Sequence, residues 1–467
     1  MPVTLPVKPL RHLLALSLTA GHLLAGEARA QEQPQSQPAP ADSTQSQPVP
    51  ADPAKPPKGR QNRSLGYAIR SAAAAADPLS ARDGTVDAVR WMAKRRQVSV
   101  NGTPYGVTGL PVVYFSPGSR WNYGTRVQIA DFSRRPYRYK MTLHSVNSTE
   151  GKRNTYVRLK VPHLSGTGFG LHLIASNRKD PRARYYGLSN DSEFNRDLID
   201  PEHVDFIDES YYHYVLEKPR FFFQLLRHVS GPVTMSFDLG LERTDVDAAG
   251  DSSYYHDVGT PDGVVDGVTG FVGASMVWDT RDDPTIPRRG VYHAWSYETS
   301  RNSLLSLFFE EIDFQRYTLT DARYWPRTIR LNITHRTIVE ALRGAVPLYA
   351  YGEIGGSRRF KGVGGSDTLR GFDRQRFTDN VRVMTNTEAR YLLGTAVAFK
   401  QHLELHGVFF IDTGQVQPGF SELRVQDFHA TAGWGLRTYW NADFVLRADC
   451  GVSPEQIYTT VKLRNLF

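Results

Sequence analysis

From residue 110 to the end of the chain, apolar and polar positions alternate in runs of about ten residues separated by turn-forming stretches. In 403–413, Leu403, Leu405, Phe409 and Ile411 share one face, while Glu404, His406 and Asp412 share the other with Val408 and Phe410. In 381–393, Val381, Val383, Ala389, Tyr391 and Leu393 alternate with Arg382, Asn386, Glu388 and Arg390. In 444–450, Phe444, Leu446, Ala448 and Cys450 alternate with Val445, Arg447 and Asp449. A period of two is that of a strand, whose successive side chains point to opposite faces. The pattern predicts sixteen strands, at 110–117, 121–132, 137–146, 155–164, 168–177, 211–228, 233–244, 270–282, 290–301, 313–325, 328–341, 381–393, 401–413, 428–439, 443–452 and 456–467.

Alternation alone does not say whether the apolar face meets a protein core or lipid. The connections do. After even-numbered strands they are short, as at 133–136, 165–167, 229–232, 326–327 and 440–442. After odd-numbered strands several are long, at 178–210, 245–269, 302–312, 342–380 and 414–427. A soluble sandwich has no reason to gather its long loops at one end, whereas a bacterial outer-membrane barrel has short periplasmic turns and long external loops. The predicted fold class is all-β, a 16-stranded antiparallel transmembrane β-barrel. Odd strands run outward and even strands inward.

Composition then fits. Of 467 residues, 40% are hydrophobic and 11% aromatic, yet mean hydropathy is negative and no mature segment is apolar enough for a membrane helix. Alternation resolves this, with apolar residues facing lipid and charges pointing into a wet lumen. The single Cys excludes a disulfide scaffold. A net charge of +8 is modest for this length and predicts no nucleic-acid partner.

The first hundred residues divide differently. Lys8 and Arg11, an apolar stretch from Leu13 to Leu24, and Ala28-Arg29-Ala30 mark 1–30 as a secretory signal. Residues 31–58 hold eight Pro, six Gln and no aromatic, which describes an extended, disordered linker. Residues 59–109 form a short periplasmic leader with one expected helix at 83–97, acidic at its start and basic at its end. That helix either packs on the next domain or enters a pore. The barrel occupies 110–467.

Four stretches go beyond a generic barrel. The connection 342–380 contains Arg359-Phe360-Lys361-Gly362-Val363-Gly364-Gly365-Ser366-Asp367-Thr368-Leu369-Arg370-Gly371-Phe372. The thirteenth predicted strand ends in Phe409-Phe410-Ile411-Asp412-Thr413-Gly414. Asp279-Thr280-Arg281-Asp282-Asp283-Pro284, followed by Pro287-Arg288-Arg289-Gly290, forms the turn between the eighth and ninth strands. Arg184-Tyr185-Tyr186-Gly187-Leu188-Ser189-Asn190-Asp191 is a weaker signal. Together these resemble the BamA, TamA and two-partner-secretion transporter superfamily, the bacterial surface antigen barrels, over about 110–467. The resemblance implies a sixteen-stranded barrel whose long external loop folds into the lumen with a (Val/Ile/Leu)-Arg-Gly-(Phe/Tyr) tip.

On that picture Leu369–Phe372 is the tip, and Arg370, Gly371 and Phe372 form a lumen-loop lock. Arg370 needs an acceptor, and inward Asp412 offers a charge-assisted, bidentate one, with Glu388 on the neighbouring strand as the second. Gly364, Gly365 and Gly371 permit tight turns. Asp279, Arg281, Asp282 and Arg289 are expected to brace their turn. Phe467, with Leu463 and Val461 on the same face, resembles the C-terminal signal read by the barrel assembly machinery, although Asn465 stands where an aromatic is more usual.

The chain departs from the family before the barrel. Residues 59–109 have no strand-helix-helix-strand pattern, so no periplasmic POTRA domain is expected there. The first strand, short and containing Pro111 and Pro117, predicts a weak seam with the last. The resemblance implies insertion or translocation of polypeptide or lipid, with outer-membrane lipid and outer-membrane protein or lipid clients as partners. The alternative is a passive or plugged pore. No Gly-x-Ser-x-Gly occurs, and His402 and His406, four apart on a strand, are too widely spaced for easy chelation. No enzyme activity, metal or cofactor is expected.

Overall fold

The computed structural model describes residues 96–116, 120–134, 137–164, 167–250, 252–257, 266–283, 286–300, 313–356, 360–398, 401–440, 444–462 and 466. The expected signal at 1–30, the linker at 31–58, residues 83–95 of the expected helix, Leu463 and Phe467 lie outside them.

Seventeen strands form one antiparallel sheet. They are β1 (Arg96–Val100), β2 (Thr103–Ser116), β3 (Arg120–Asp131), β4 (Tyr139–Ser148), β5 (Arg153–Val161), β6 (Phe169–Arg184), β7 (His213–Ser230), β8 (Val233–Ala248), β9 (Gly267–Asp279), β10 (Gly290–Thr299), β11 (Phe314–Pro326), β12 (Leu331–Gly344), β15 (Val381–Ala398), β16 (Gln401–Gln417), β17 (His429–Trp440), β18 (Phe444–Val452) and β19 (Ile457–Lys462). A separate two-stranded ribbon, β13 (Glu353–Ile354) with β14 (Phe360–Lys361), lies within the long connection. Each wall strand pairs with the one before it in the chain, β12 with β15 included.

The sixteen expected strands fall on β2–β12 and β15–β19. The seventeenth is β1, which corrects two expectations. Arg96 and Gln97 are strand residues, not the end of a helix, and the sheet begins at Arg96 instead of at 110. The reason is Asn101–Gly102, whose φ angles of 50° and 76° make the two-residue hairpin joining β1 to β2. Asn-Gly favours that turn because its twist matches the flanking strands. The first barrel strand is thereby long, and Pro111 sits inside it opposite Thr125.

Alternation sorts the two faces as the pattern requires. Val113, Trp121, Tyr123, Val157, Phe221, Phe237, Trp278, Trp295, Phe409, Trp434 and Ile457 are exposed on the outer face, which lipid covers. On β15 and β16 the opposite positions, Arg382, Asn386, Glu388, Glu404 and Asp412, are buried. The long connections 185–212 and 418–428 and the described residues of 249–266 and 345–380 lie at one end of the sheet; 231–232 and 327–330 lie at the other.

The loop 345–380 folds inside the sheet. One buried cluster joins its Ile354, Phe360, Val363, Leu369, Phe372 and Phe377 to Ile338, Met384 and Val416 of the wall. On the side of β12, β15 and β16 the expected wet lumen is therefore packed around this loop, because a loop of such length brings its own apolar core with it.

Candidate functional site

The tip of the loop is built from glycines where the backbone has no alternative. Gly371 has φ 113°, and a Cβ there would stand 3.0 Å from the Val452 carbonyl carbon. Across the contact, a Cβ on Gly451 would lie 2.7 Å from the Arg370 carbonyl carbon. Tip and wall thus meet backbone to backbone, which only glycine allows. Thr368 ties the turn by donating its hydroxyl to the carbonyls of Gly362 and Gly364, both at 2.8 Å. Phe372 packs edge-on against Phe377 at 5.0 Å, and Phe377 stacks on His429 at 3.9 Å.

This tip delivers Arg370 into a buried charge network. Its Nε donates to Asp412 Oδ2 and its Nη2 to Asp412 Oδ1, each at 2.8 Å, a bidentate pair. Its backbone N–H also reaches Asp412 Oδ2, at 3.1 Å. Nη1 donates to Glu388 Oε1 at 2.6 Å and lies 3.4 Å from Asp449 Oδ2. The guanidinium rests 3.5 Å from the centroid of the Phe410 ring. Arg370 is 1% exposed; Glu388 and Asp412 are fully buried.

Three more guanidiniums complete the set. Arg390 donates to Glu388 at 2.7 Å, and Arg437 donates to Glu388 at 2.9 Å and pairs with Asp449. Arg447 bonds Asp367 at 3.0 Å and the Ser366 carbonyl at 2.8 Å. Arg370, Arg390, Arg437 and Arg447 are matched by Glu388, Asp412, Asp449 and Asp367. Such matching is the condition for burying charge, since each unpaired buried ion costs several kcal/mol.

Other contacts fasten the loop elsewhere. At its start, Glu340 pairs with Arg316 and Arg382 and accepts from the Gly355 N–H at 2.8 Å. Arg316 donates to the Ala350 and Glu353 carbonyls at 3.0 and 2.9 Å. On the far side, Lys361 reaches Asp180 of β6 at 3.1 Å, and the Tyr186 hydroxyl donates to Asp373 at 3.1 Å beside Arg184. Arg376 joins Glu455 at 2.9 Å and the Ser192 carbonyl at 2.6 Å. Burial pushes the Glu455 carboxyl up, and Arg376 pulls it partly back. The 184–191 stretch ties the loop to the wall: Gly187 accepts from Thr378 of the loop at 2.7 Å, and Asn190 accepts from the Val416 N–H of β16 at 3.0 Å and from His429 of β17 at 2.9 Å.

In the turn between β9 and β10, Arg281 makes a bidentate contact with Asp279, at 2.9 and 2.7 Å. Asp282 Oδ1 accepts from the backbone N–H groups of Arg288 and Arg289, at 2.9 and 3.2 Å. Arg289 takes part through its backbone there, and the Arg288 side chain pairs with Glu404. Val461 is exposed on the outer face. His406 bonds Glu404 at 3.1 Å. Among the described residues no group of His, Cys, Asp or Glu is placed to hold a metal ion.

Sequence reading brought together Arg370, Asp412 and Glu388, and the structure places all three in contact. It did not single out Arg437, Arg447, Asp449 or Asp367. For Arg437, Arg447 and Asp449 the signal was the inward parity of charged positions on neighbouring strands, which places a residue on a face without naming its partner; Asp367 lies in the loop, within the stretch 359–372.

Residues 189–452 match the model of the Omp85 superfamily domain. Solved structures similar to the chain include BamA from Haemophilus ducreyi lacking POTRA domains 1–3, at 12% identity and a TM-score of 0.49, covering 77% of this chain and 68% of that one. CdiB from Escherichia coli is 11% identical with a TM-score of 0.45, over 76% of this chain and 61% of its own. CdiB from Acinetobacter baumannii is 13% identical with a TM-score of 0.43, over 77% and 60%. The chain thus spans less than two thirds of either CdiB. No curated protein matches it.

Proposed function

The chain belongs to the Omp85 superfamily and is a bacterial outer-membrane barrel, and on that premise we propose that it inserts or translocates polypeptide or lipid at the outer membrane. The observation that carries this reading is the loop 345–380, held in the lumen by Arg370 against Asp412 and Glu388. A wall strand pair fixed by an inserted loop gives the barrel a defined resting shape next to its last strands. Arg370, Gly371, Phe372, Asp412 and Glu388 are proposed as the lock; Asp279, Arg281, Asp282 and Arg289 as a brace of the opposite rim. Outer-membrane lipid and outer-membrane protein or lipid clients are the proposed partners. No catalytic role is proposed.

The test is reconstitution of the full chain in liposomes with a urea-denatured outer-membrane barrel as substrate, alongside crosslinking mass spectrometry in native outer membranes. Faster substrate folding than in empty liposomes, with nascent barrels or lipid recovered in crosslinks, is the expected result. The absence of both effects would overturn the reading. Phe467, Leu463 and Val461 are proposed as the chain's own assembly signal; Phe467→Ala should lower its level in the outer membrane, and an unchanged level would refute this.

A second reading, a partly plugged pore, is favoured by one observation. The inward cations on β3–β6, unlike those of the lock, are not sealed: Arg126, Arg158 and Arg178 are half-buried and Lys160 is exposed.

A further inference from the structure

The inner face of β3–β6 has an unusual charge balance. Trp121, Tyr123, Leu143 and Val157 are exposed on the outer face, so the alternate positions point inward. These hold Arg126, Lys140, Arg158, Lys160 and Arg178, against one inward carboxylate, Asp180.

Register gathers the cations. Arg126 stands opposite His144, which stands opposite Tyr156. Lys140 stands opposite Lys160, and Lys160 opposite His172. The Arg158 guanidinium lies 4.9 Å from the Tyr156 ring centroid, and His144 stacks on the same ring at 4.7 Å.

Towards the external end, Lys152, Arg178 and Lys361 converge on Asp180 at 3.0, 3.4 and 3.1 Å. Those cations keep 19%, 28% and 30% of their side-chain surface. Lys361 belongs to the inserted loop, so around Asp180 wall and loop both contribute cations; further along β6 the loop's Asp373 pairs with Arg184.

A wall selected only for stability would interleave acids, as β15–β18 do, because like charges directly opposite on a sheet are destabilising. Cations that stay accessible in a lumen instead raise the local concentration of anions. We propose that the β3–β6 wall is an anion-conducting face of the lumen, along which small anions such as chloride and inorganic phosphate pass beside the folded-in loop. This rests on the barrel and its inserted loop, not on insertion activity.

The experiment is reversal-potential measurement on the full chain in planar bilayers under a KCl gradient, repeated with potassium phosphate. The wild-type chloride-to-potassium permeability ratio is expected above one. The triple variant Arg126→Gln, Arg158→Gln and Lys160→Gln should lower it at least about threefold. Lys160→Glu, at an exposed position, should move it the same way, with heat-modified electrophoretic mobility showing that the variant barrel is folded. Absence of any wild-type conductance, a cation-selective wild type, or a ratio unchanged in both variants would overturn the proposal. A failed substrate-folding assay would leave this measurement untouched, so the two readings fail separately.

Discussion

On β15–β18 the inward guanidiniums of Arg390, Arg437 and Arg447 are interleaved with the carboxylates of Glu388, Asp412 and Asp449, whereas on β3–β6 the inward positions hold Arg126, Lys140, Arg158, Lys160 and Arg178 and a single carboxylate, Asp180. The first region is sealed by the loop tip; the second keeps accessible side chains. Water explains why both arrangements stand in one lumen. Two charges 4 Å apart interact by only about 1 kcal/mol at the dielectric of water, so an unbalanced wet wall is cheap. Buried, the same excess would be prohibitive, and only charge matching makes the lock tolerable. Balance is thus a consequence of burial, and excess marks where burial stops.

The sharpest break in this comparison is Arg370→Ala. It strands Asp412, Glu388 and Asp449 with one cation fewer in a sealed site, and a loss of about 3–5 kcal/mol is expected. Denaturant unfolding of the detergent-solubilised barrel reads the loss, and larger conductance in planar bilayers reads release of the loop. Arg370→Lys should recover only part, because an ammonium cannot reproduce the two-pronged contact with Asp412. Unchanged stability in Arg370→Ala would refute the lock.

Gly451→Ala tests the same half without touching a charge. Its Cβ would meet the tip backbone at 2.7 Å, and neither backbone is free to withdraw. A destabilisation of about 1–3 kcal/mol is expected by overpacking, again from the unfolding midpoint. Wild-type stability would mean the tip does not rest on β18.

The smallest effect belongs to the other half. Arg126→Gln on the wet wall should change stability by no more than about 0.5 kcal/mol, in either direction, since it also relieves repulsion with Arg158. A loss comparable to that of Arg370→Ala would erase the distinction between the two halves.

Much of the wall was legible in advance. Strand number, face assignment and the inequality of loops follow from period two and turn spacing, which are local properties. The exception was β1: its five residues are too few for a pattern, although Asn101–Gly102 carried the hairpin signal. In the site, Arg370, Asp412 and Glu388 were legible because a motif singled them out. Arg437, Arg447 and Asp449 were not, since inward parity says that a charge faces the lumen and leaves open whether another charge or water meets it; nor was Asp367, a loop residue with no strand period to place it.

By itself, then, the amino-acid sequence determined a membrane wall: which residues face lipid, which face inward, and where the long loops gather. Only the tertiary structure decided that one half of the inner face is closed by Arg370 and its neighbours while the other stays basic and accessible. Side-chain direction is set within two residues along the chain. Charge pairing between Arg370 and Asp412, or among Lys152, Asp180 and Lys361, depends on segments far apart in sequence whose separation the folded sheet and its inserted loop alone define.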